Sequence, residues 1–433
     1  MSLVWFGVSD SMKRASNDHD GDDASVFGAR GSALFQTCKS MPKVLDMNSA
    51  LVRRVFDVAA VAAGLALISV SSVGRAQAPA APPAPAVAPL NDLKVPAGFS
   101  VSVFASELPG ARMMAVSPEG VLIVARRRAN EVVALPDKNG DGRAEPEVLL
   151  SDLTNAHSLA FKDGYLYIST TPAVVRVKWA NGRPSGTPEK IIDLPTSTPS
   201  VHVTRSIAFG KDGRLYVAIG SSCNVGVEPD PRRTTIHVFN ADGSHGQLFA
   251  KGMHNAIGFD WDPATGRMWA GDTGQDGLGD GVPPEEINLI EAGKHYGFPF
   301  FVGRNEANHV AELKDAKPDV TADAAVAPAL EMPAHVTPMD LRFYTGSQFP
   351  AAYRNALFLA LHGSSTIPTK VGYTVVRVVM KDGKPAGTED FMTGWLKNGE
   401  VTGRPAGLAT GRDGALYVSD DNKGFIYRVS YGH

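Results

Sequence analysis

The sequence is poor in cysteine, in excess charge and in long apolar runs, and each shortage excludes a class of protein. Only Cys38 and Cys223 occur among 433 residues, which is too few for a disulfide framework or a cysteine-based zinc site. No CxxCH sequence is present, so a covalently attached haem is excluded. Lysine and arginine number 42 against 45 aspartate and glutamate residues. This balance gives no electrostatic reason to expect nucleic acid as a partner.

The N-terminal region has the pattern of a targeting segment. Arg53 and Arg54 precede the apolar stretch 58–70, and the small-residue triplet 76–78 follows it, as in a cleaved signal peptide. The stretch is shorter than the roughly 20 residues that a spanning helix needs, so we expect no transmembrane segment in the mature chain. The paired arginines leave both the general secretory and the twin-arginine routes open. We predict export to the periplasm, with cleavage near Ala78.

These features divide the chain into four predicted segments. Residues 1–46 are expected to be an over-extended, disordered N-terminus, and residues 47–78 the signal peptide. Residues 79–91 form a Pro/Ala tract that should act as an extended linker. The folded domain is predicted over residues 92–433. Because Cys38 precedes the cleavage site, Cys223 is expected to be a lone thiol.

A short unit, a turn of small residues followed by a β-rich run, recurs six times in the folded part. Its copies begin at Gly120, Gly164, Gly213, Gly266, Asn355 and Gly414. Most steps lie near the roughly 40–50 residues of a four-stranded propeller blade, and the longest step indicates an insertion. A second run in each unit, such as TTIHVFN or FIYRVSY, alternates apolar and polar residues as half-buried strands do.

We therefore predict an all-β fold, a six-bladed β-propeller with four-stranded antiparallel blades. The early segment 99–105 should close the ring against the last blade. Helical periodicity is nearly absent from the domain. An open pair of β-sandwiches is the alternative, and six matched copies count against it.

In a propeller, the innermost strand of each blade begins at one face of the central channel, so residues at these positions converge. The polar residues at or just before these starts are Arg112, His157, His202, Arg205, His254, Asn255 and Arg404. Such a collection of cations predicts a pocket for a polyanionic ligand. The alternative for any single arginine is that it bonds a neighbouring backbone carbonyl within its blade.

Three longer motifs resemble the pyrroloquinoline quinone (PQQ)-dependent glucose/sorbosone dehydrogenase family. The motifs are HVTRSIAFGKDGRLYVAIG from His202, GMHNAIGFDWDPATGRMW with the following DTGQDGLGDGVPPEEINLIEAGKHYGFP, and GRPAGLATGRDGALYVSDDNKGFIYRV. The resemblance covers roughly residues 93–431. It implies a soluble quinoprotein in which PQQ and Ca²⁺ bind at the channel mouth.

The resemblance implies a role for each polar residue at the mouth. His202 would be the general base, and His254 with Asn255 would lie beside the reactive quinone carbonyl. The sugar-oxidising soluble enzymes have arginine at the position of His254, so glucose-like specificity is in doubt. Arg404 would contact the quinone, and Arg112, His157 and Arg205 would complete the cofactor pocket. Lys370 is the candidate partner of a quinone carboxylate, with His362 as its rival.

Two segments are predicted to bind calcium, a hard cation that takes oxygen ligands. The match to the family loop implies ligands from the backbone carbonyls of Gly274 and Gln275, with Asp276 nearby. A second candidate is the turn of Asp137, Asn139 and Asp141, which has oxygen residues at alternate positions but lacks the final glutamate of an EF-hand loop. A solvated acidic turn is the alternative for each.

The predicted function is oxidation of an aldose, a sorbosone-like sugar aldehyde or a related sugar alcohol, with hydride transfer to PQQ. Electrons would then leave to a separate acceptor, a cytochrome or a quinone, because no haem domain is fused. The chain would be a monomer or homodimer. Two alternatives stay open: a calcium-dependent sugar lactonase and a non-catalytic binding propeller.

Overall fold

The computed structural model describes residues 90–196 and 200–432, and the predicted N-terminus, signal peptide and most of the linker lie outside these ranges. Twenty-eight strands and two short 3₁₀ helices are present in the described part. The first strand is β1 (Phe99–Ala105). Blades 1 to 3 then follow as β2 (Ala111–Val116), β3 (Leu122–Arg126), β4 (Glu131–Leu135) and β5 (Glu147–Leu150); β6 (Leu159–Lys162), β7 (Tyr165–Ser169), β8 (Ala173–Ala180) and β9 (Arg183–Asp193); and β10 (Arg205–Phe209), β11 (Leu215–Ile219), β12 (Thr235–Phe239) and β13 (Gln247–Lys251).

The second half of the domain carries the insertions. Blade 4 contains β14 (Ala256–Trp261), β15 (Met268–Asp272), β16 (Glu285–Ile290), then the hairpin β17 (Phe301–Val302) and β18 (Glu306–Ala307), a 3₁₀ helix (Ala311–Leu313) and finally β19 (Leu330–Met332). Blade 5 contains β20 (Pro338–Phe343), a 3₁₀ helix (Ala351–Tyr353), β21 (Leu357–Leu361), β22 (Thr374–Lys381) and β23 (Lys384–Met392). A hairpin of β24 (Leu396–Lys397) and β25 (Glu400–Val401) leads to β26 (Pro405–Thr410), β27 (Leu416–Asp420) and β28 (Phe425–Tyr431).

These strands form six four-stranded antiparallel sheets, so the predicted six-bladed propeller is confirmed. The last sheet has the order β1, β28, β27, β26, which confirms that the early segment closes the ring. The segment from β17 to β19 explains the long step in the repeat. Among the described residues, no helix is long and apolar enough to cross a bilayer.

The six innermost strands, β2, β6, β10, β14, β20 and β26, each contact the next around the ring. Apolar side chains between the blades form the core, because alternate residues of each strand point to one face of its sheet. At the centre, four inner-strand residues pack together across the channel: Met113, Ile257, Met339 and Ala406. This cluster fills the channel beneath the strand starts.

Antiparallel register determines which loops share the face of the strand starts. In blade 1, Ala111 at the start of β2 pairs with Arg126 at the end of β3, and Arg126 pairs with Glu131 at the start of β4. The turn after β4 therefore lies on the opposite face. It contains Asp137, Asn139 and Asp141, so this acidic turn is remote from the strand starts.

We expect Phe99→Ala to lower the free energy of unfolding by about 3 kcal/mol, because the ring packs on the aromatic cluster beside the closing strand. Phe99 contacts Phe349, Tyr353, Phe391 and Tyr431 at ring-centroid distances of 4.8–5.1 Å. Urea unfolding measures the change. Ser102→Ala, an exposed position on the same strand, is the matched control, and equal stability of both variants would contradict the role of β1 in closure.

Candidate functional site

A cleft lies at the strand starts of blades 3 to 5. Its walls include His202, His254, Asp276, Glu285, His335 and Thr366. His202 is 5% exposed and precedes β10. Its Nδ1 lies 2.8 Å from Ser221 Oγ and 3.2 Å from Ser221 O. The Ser221 hydroxyl donates to Cys223 O at 2.6 Å, so both neighbours of Nδ1 are acceptors. Nδ1 therefore carries the proton, and the lone pair is on Nε2.

Burial keeps His202 neutral. Desolvation, and then the neighbouring His254, lower the pKa of His202 well below its usual range. The two imidazole rings meet edge to face, with centroids 4.6 Å apart. An uncharged imidazole with a free Nε2 lone pair can accept a proton from a ligand hydroxyl.

Two buried arginines hold the backbone around His202. Arg205 Nη1 donates to His202 O at 3.0 Å, and its Nη2 donates to Pro195 O at 2.9 Å. Arg233 donates to Gly220 O at 3.2 Å and Ser221 O at 3.3 Å. Arg205 thus binds neighbouring backbone carbonyls, which is the structural role that the sequence analysis gave as the alternative to cofactor binding. Its predicted contact with a cofactor stays a prediction.

His254 and Asn255 begin blade 4 and are held by Asp272 at the end of β15. The Asp272 carboxylate accepts the backbone N–H groups of His254 at 2.9 Å and Asn255 at 2.6 Å. His254 Nδ1 lies 2.6 Å from Thr273 O, and its ring packs against Phe298. A Cβ at Gly220 would collide with Asn255 Oδ1, so the adjacent turn needs glycine.

Arg112, His362 and Arg404 lie at the strand starts of the neighbouring blades and, with His157, form an arc around the channel mouth. Arg112 Nε donates to Asp421 Oδ2 at 2.9 Å, and His362 Nε2 lies 2.8 Å from Asp421 Oδ1. The pKa of Asp421 is lowered although burial opposes this, because His362 and Arg112 favour the carboxylate. Arg404 donates to the carbonyls of His362 at 3.2 Å and Gly363 at 2.8 Å.

His157 occupies the middle of the arc and is completely buried. Burial, and then the charges of Arg112, Arg127 and Arg205, lower its pKa well below the usual range. Within the described residues, neither ring nitrogen has a hydrogen-bond partner. The structure thus brings His157 together with Arg112 and Arg205, as the sequence predicted.

The predicted calcium loop follows β15 and is tied to blade 5 by a buried glutamate. Glu285 accepts Gly274 N at 2.7 Å and Thr337 N at 3.3 Å, and burial raises its pKa to about 8. The Gln275 side chain accepts Asn308 Nδ2 at 2.7 Å. In the described part of the chain, no group of three His, Cys, Asp or Glu side chains could hold a metal ion. Calcium binding here would depend on backbone oxygens.

Two predicted positions lie apart from this arrangement. Asp137 accepts the backbone N–H groups of Gly140 and Gly142 at 2.8 and 3.0 Å, and Asp141 accepts Arg143 N at 2.8 Å, on the face opposite the cleft. The Asn139 amide bonds Asp141. Lys370 is partly exposed, beyond the turn of Ser364 to Thr366 that lines the cleft. Ligand binding at both places stays a prediction.

Sequence reasoning missed Ser221, Asp272, Glu285 and, above all, His335. The signal for His335 is a repeated tripeptide: His335-Val-Thr precedes β20 just as His202-Val-Thr precedes β10. His335 Nδ1 lies 3.2 Å from Asp276 Oδ1, and Nε2 lies 3.0 Å from Gly279 O. The bond to Asp276 raises the pKa of His335 to about 9.

The prediction that Cys223 is a lone thiol is wrong for this chain. Cys223 is buried and disulfide-bonded, and no described cysteine is free. Its backbone carbonyl still has the local role given above, as the acceptor of the Ser221 hydroxyl.

The fold and the site define a six-bladed β-propeller with a polar cleft and buried arginines at one channel mouth. The family model described as TrAA12-like matches residues 93–432. The chain belongs to the TrAA12-like family, which confirms the resemblance indicated by the motifs.

Similar proteins come from bacteria and fungi. An uncharacterised protein of Borreliella burgdorferi is 31% identical over 358 residues, covering 79% of this chain and 91% of that protein. A pyrroloquinoline quinone-dependent sugar dehydrogenase of Hypocrea jecorina is 25% identical over 340 residues, covering 64% of this chain and 75% of that protein.

Solved structures show the same fold at lower identity. The family AA12 enzyme of Trichoderma reesei superposes with a TM-score of 0.67 at 22% identity, covering 78% of this chain and 97% of that one. The holo PQQ domain of the Coprinopsis cinerea pyranose dehydrogenase gives a TM-score of 0.65 at 20% identity, with the same coverage.

We expect ¹H–¹⁵N spectra to show His202 as the neutral Nδ1–H tautomer at pH 7 and still neutral at pH 6.5. The physical reason is the pair of acceptors at Nδ1 and the burial that lowers the pKa. His202→Gln assigns the resonance, and Ser221→Ala should weaken the tautomer preference. An Nε2–H tautomer in the wild type, or a midpoint at or above pH 6.5, would contradict this arrangement.

Proposed function

We propose that the protein is a PQQ- and Ca²⁺-dependent dehydrogenase that oxidises an aldose, a sorbosone-like sugar aldehyde or a related sugar alcohol. The observation that carries this proposal is the presence of a neutral, oriented His202 and of the buried arginines Arg112, Arg205 and Arg404 at the same channel mouth. PQQ has three carboxylates and an ortho-quinone, so it needs both cations and a nearby base. The Hypocrea relative, a PQQ-dependent sugar dehydrogenase, and the holo PQQ domain of the Coprinopsis enzyme support the same chemistry.

Polar atoms at the mouth are available for such a group. His254 Nε2 and Asn255 Nδ2 are buried without a hydrogen-bond partner in the described residues, as are both nitrogens of His157. Unsatisfied buried polar atoms are rare and call for an explanation, which a bound ligand would provide. Asn255 and His254 would face the quinone carbonyl, while Arg112, Arg205, Lys370 and Arg404 would supply positive charge for its carboxylates and the neutral His157 a polar contact.

When bound, PQQ supplies the two-electron acceptor, and the chain positions the substrate and moves its proton. His202 Nε2 takes the proton of the reacting hydroxyl or hydrate, while Ser221 holds the Nδ1–H in place. Arg205 and Arg233 fix the backbone of His202 and disfavour its charged form before substrate binds.

Calcium is assigned to the loop after β15, through the backbone carbonyls of Gly274 and Gln275. The role of a hard cation beside a quinone is to polarise the carbonyl oxygen. The turn of Asp137, Asn139 and Asp141 is on the other face, so a cation there could only be structural. Electrons leave to a cytochrome or quinone, in keeping with the predicted periplasmic location.

The lactonase alternative requires side-chain carboxylates on a metal at the channel axis. Among the described residues, no three His, Cys, Asp or Glu side chains are grouped so that they could hold a metal ion. Asp421 is paired with Arg112 and His362, and Asp272 and Glu285 accept backbone N–H groups. This arrangement supports the dehydrogenase over the hydrolase.

We expect the purified protein to bind PQQ stoichiometrically in the presence of Ca²⁺ and then to reduce a dye when an aldose, sugar aldehyde or polyol is added. Absorbance titration measures binding, and dye bleaching measures turnover across the sugar panel. Failure to bind PQQ with Ca²⁺ present and the circular dichroism spectrum of the fold intact would overturn the proposal. Lactonase assays would then take precedence.

His202→Ala should lower kcat by about two to four orders of magnitude, the usual contribution of a general base. PQQ affinity should change little, because Arg112, Arg205 and Arg404 are unchanged in this variant. Stopped-flow reduction of the bound cofactor separates the chemical step from electron transfer to the dye. A variant with full activity would show that another group is the base.

A further inference from the structure

The cleft that contains His202 is also lined by Asp276, His335 and Thr366, which have no role in proton transfer as proposed above. Asp276 belongs to the loop after β15, His335 to the entrance of blade 5, and Thr366 to the turn after β21. Three separate segments thus bring these side chains to one place. The contacts of Asp276 with His335 and Thr366 indicate the role of the Asp276 carboxylate.

The Asp276 carboxylate is bound on one oxygen by two donors. Thr366 Oγ1 donates to Asp276 Oδ1 at 2.8 Å, and His335 Nδ1 lies 3.2 Å from the same oxygen. The backbone of Asp276 exchanges two hydrogen bonds with the Asn224 side chain, at 2.8 and 2.9 Å. The side chain is 27% exposed. Both described side-chain contacts use Oδ1, so Oδ2 is left to accept from a ligand in the cleft.

His335 is held in a conformation that a non-glycine residue adopts rarely. Its φ is 63°, and the β-branched Thr337 two residues later has a φ of 53°. Positive φ at such residues costs energy and is concentrated at binding sites. The two nitrogens of His335 face a carboxylate and the Gly279 carbonyl, both acceptors, so the ring carries two protons and is a cation.

We propose that Asp276, positioned by His335 and Thr366, is the acceptor for a hydroxyl group of a neutral polyhydroxy substrate and is not a calcium ligand. This inference rests on the dehydrogenase function proposed above and names a substrate-selecting residue within it. A carboxylate with an imidazolium beside it has part of its charge already neutralised, which disfavours binding of a second cation. A uronic acid has acceptor oxygens where the neutral sugar has a hydroxyl donor, so a carboxylate that accepts this hydroxyl favours the neutral sugar.

The test compares Asp276→Asn with the matched control Asp280→Asn, an exposed acid in the same loop. Each full-length variant is loaded with PQQ and CaCl₂, and KM and kcat are measured for the best neutral aldose of the panel and for its uronic acid. Calcium affinity is measured separately by chelator-buffered calorimetric titration. Thermal melting confirms that each variant is folded.

For Asp276→Asn, we expect KM for the aldose to rise about tenfold, as for loss of a hydrogen bond to a charged group, with kcat within about threefold. The preference for aldose over uronic acid should shrink, and calcium affinity should stay within about twofold of the wild type. His335→Gln should change KM in the same direction, and Asp280→Asn should behave as the wild type.

Two results would overturn this inference alone. Calcium affinity lowered about tenfold or more in Asp276→Asn would make the carboxylate a metal ligand, and an unchanged KM would remove its contact with substrate. A wild-type protein that binds no PQQ, or oxidises no sugar, would instead overturn the proposed function and this inference with it. The wild-type titration therefore distinguishes the two failures.

Discussion

The pairing of β1 with β28 is the constraint on which the rest of the structure depends. The inner strands of a propeller contact only their neighbours, so their starts converge at one mouth only when the ring is closed. Here the seam between blades 6 and 1 also carries part of the site. Ser419 Oγ donates to Arg112 O at 2.8 Å, and Arg112 binds Asp421 across the same seam. Ring closure and assembly of the basic arc are therefore one event.

Charge within the mouth is arranged by burial as much as by pairing. The carboxylates of Asp272 and Glu285 accept backbone N–H groups at blade entrances, and burial raises the pKa of each. Asp421 differs because His362 and Arg112 are close enough to outweigh its burial. The same residue type thus serves as an anchor for backbone in blade 4 and as a counter-ion in blade 6.

The sequence predicted those features that recur with the blades. Alternating runs and small-residue turns defined six sheets, and the residues before each inner strand defined the mouth, including His202, His254 and Arg404. Features that depend on partners from another blade could not be predicted this way. The pairing of Arg112 with Asp421 and the bond from Thr337 N to Glu285 are examples. The acidic turn at Asp137 resembled a metal loop by spacing alone, and only strand direction places it on the far face.

The missed His335 shows how environment decides the chemistry of a repeated motif. The same His-Val-Thr tripeptide enters blades 3 and 5, three residues before the inner strand in each case. In blade 3, Nδ1 faces two acceptors from Ser221, and burial beside other cations removes the second proton. In blade 5, an acceptor faces each nitrogen, and one of them is a carboxylate, so the second proton is retained. Two copies of one sequence element thereby give a neutral imidazole at His202 and a charged one at His335 in the same cleft.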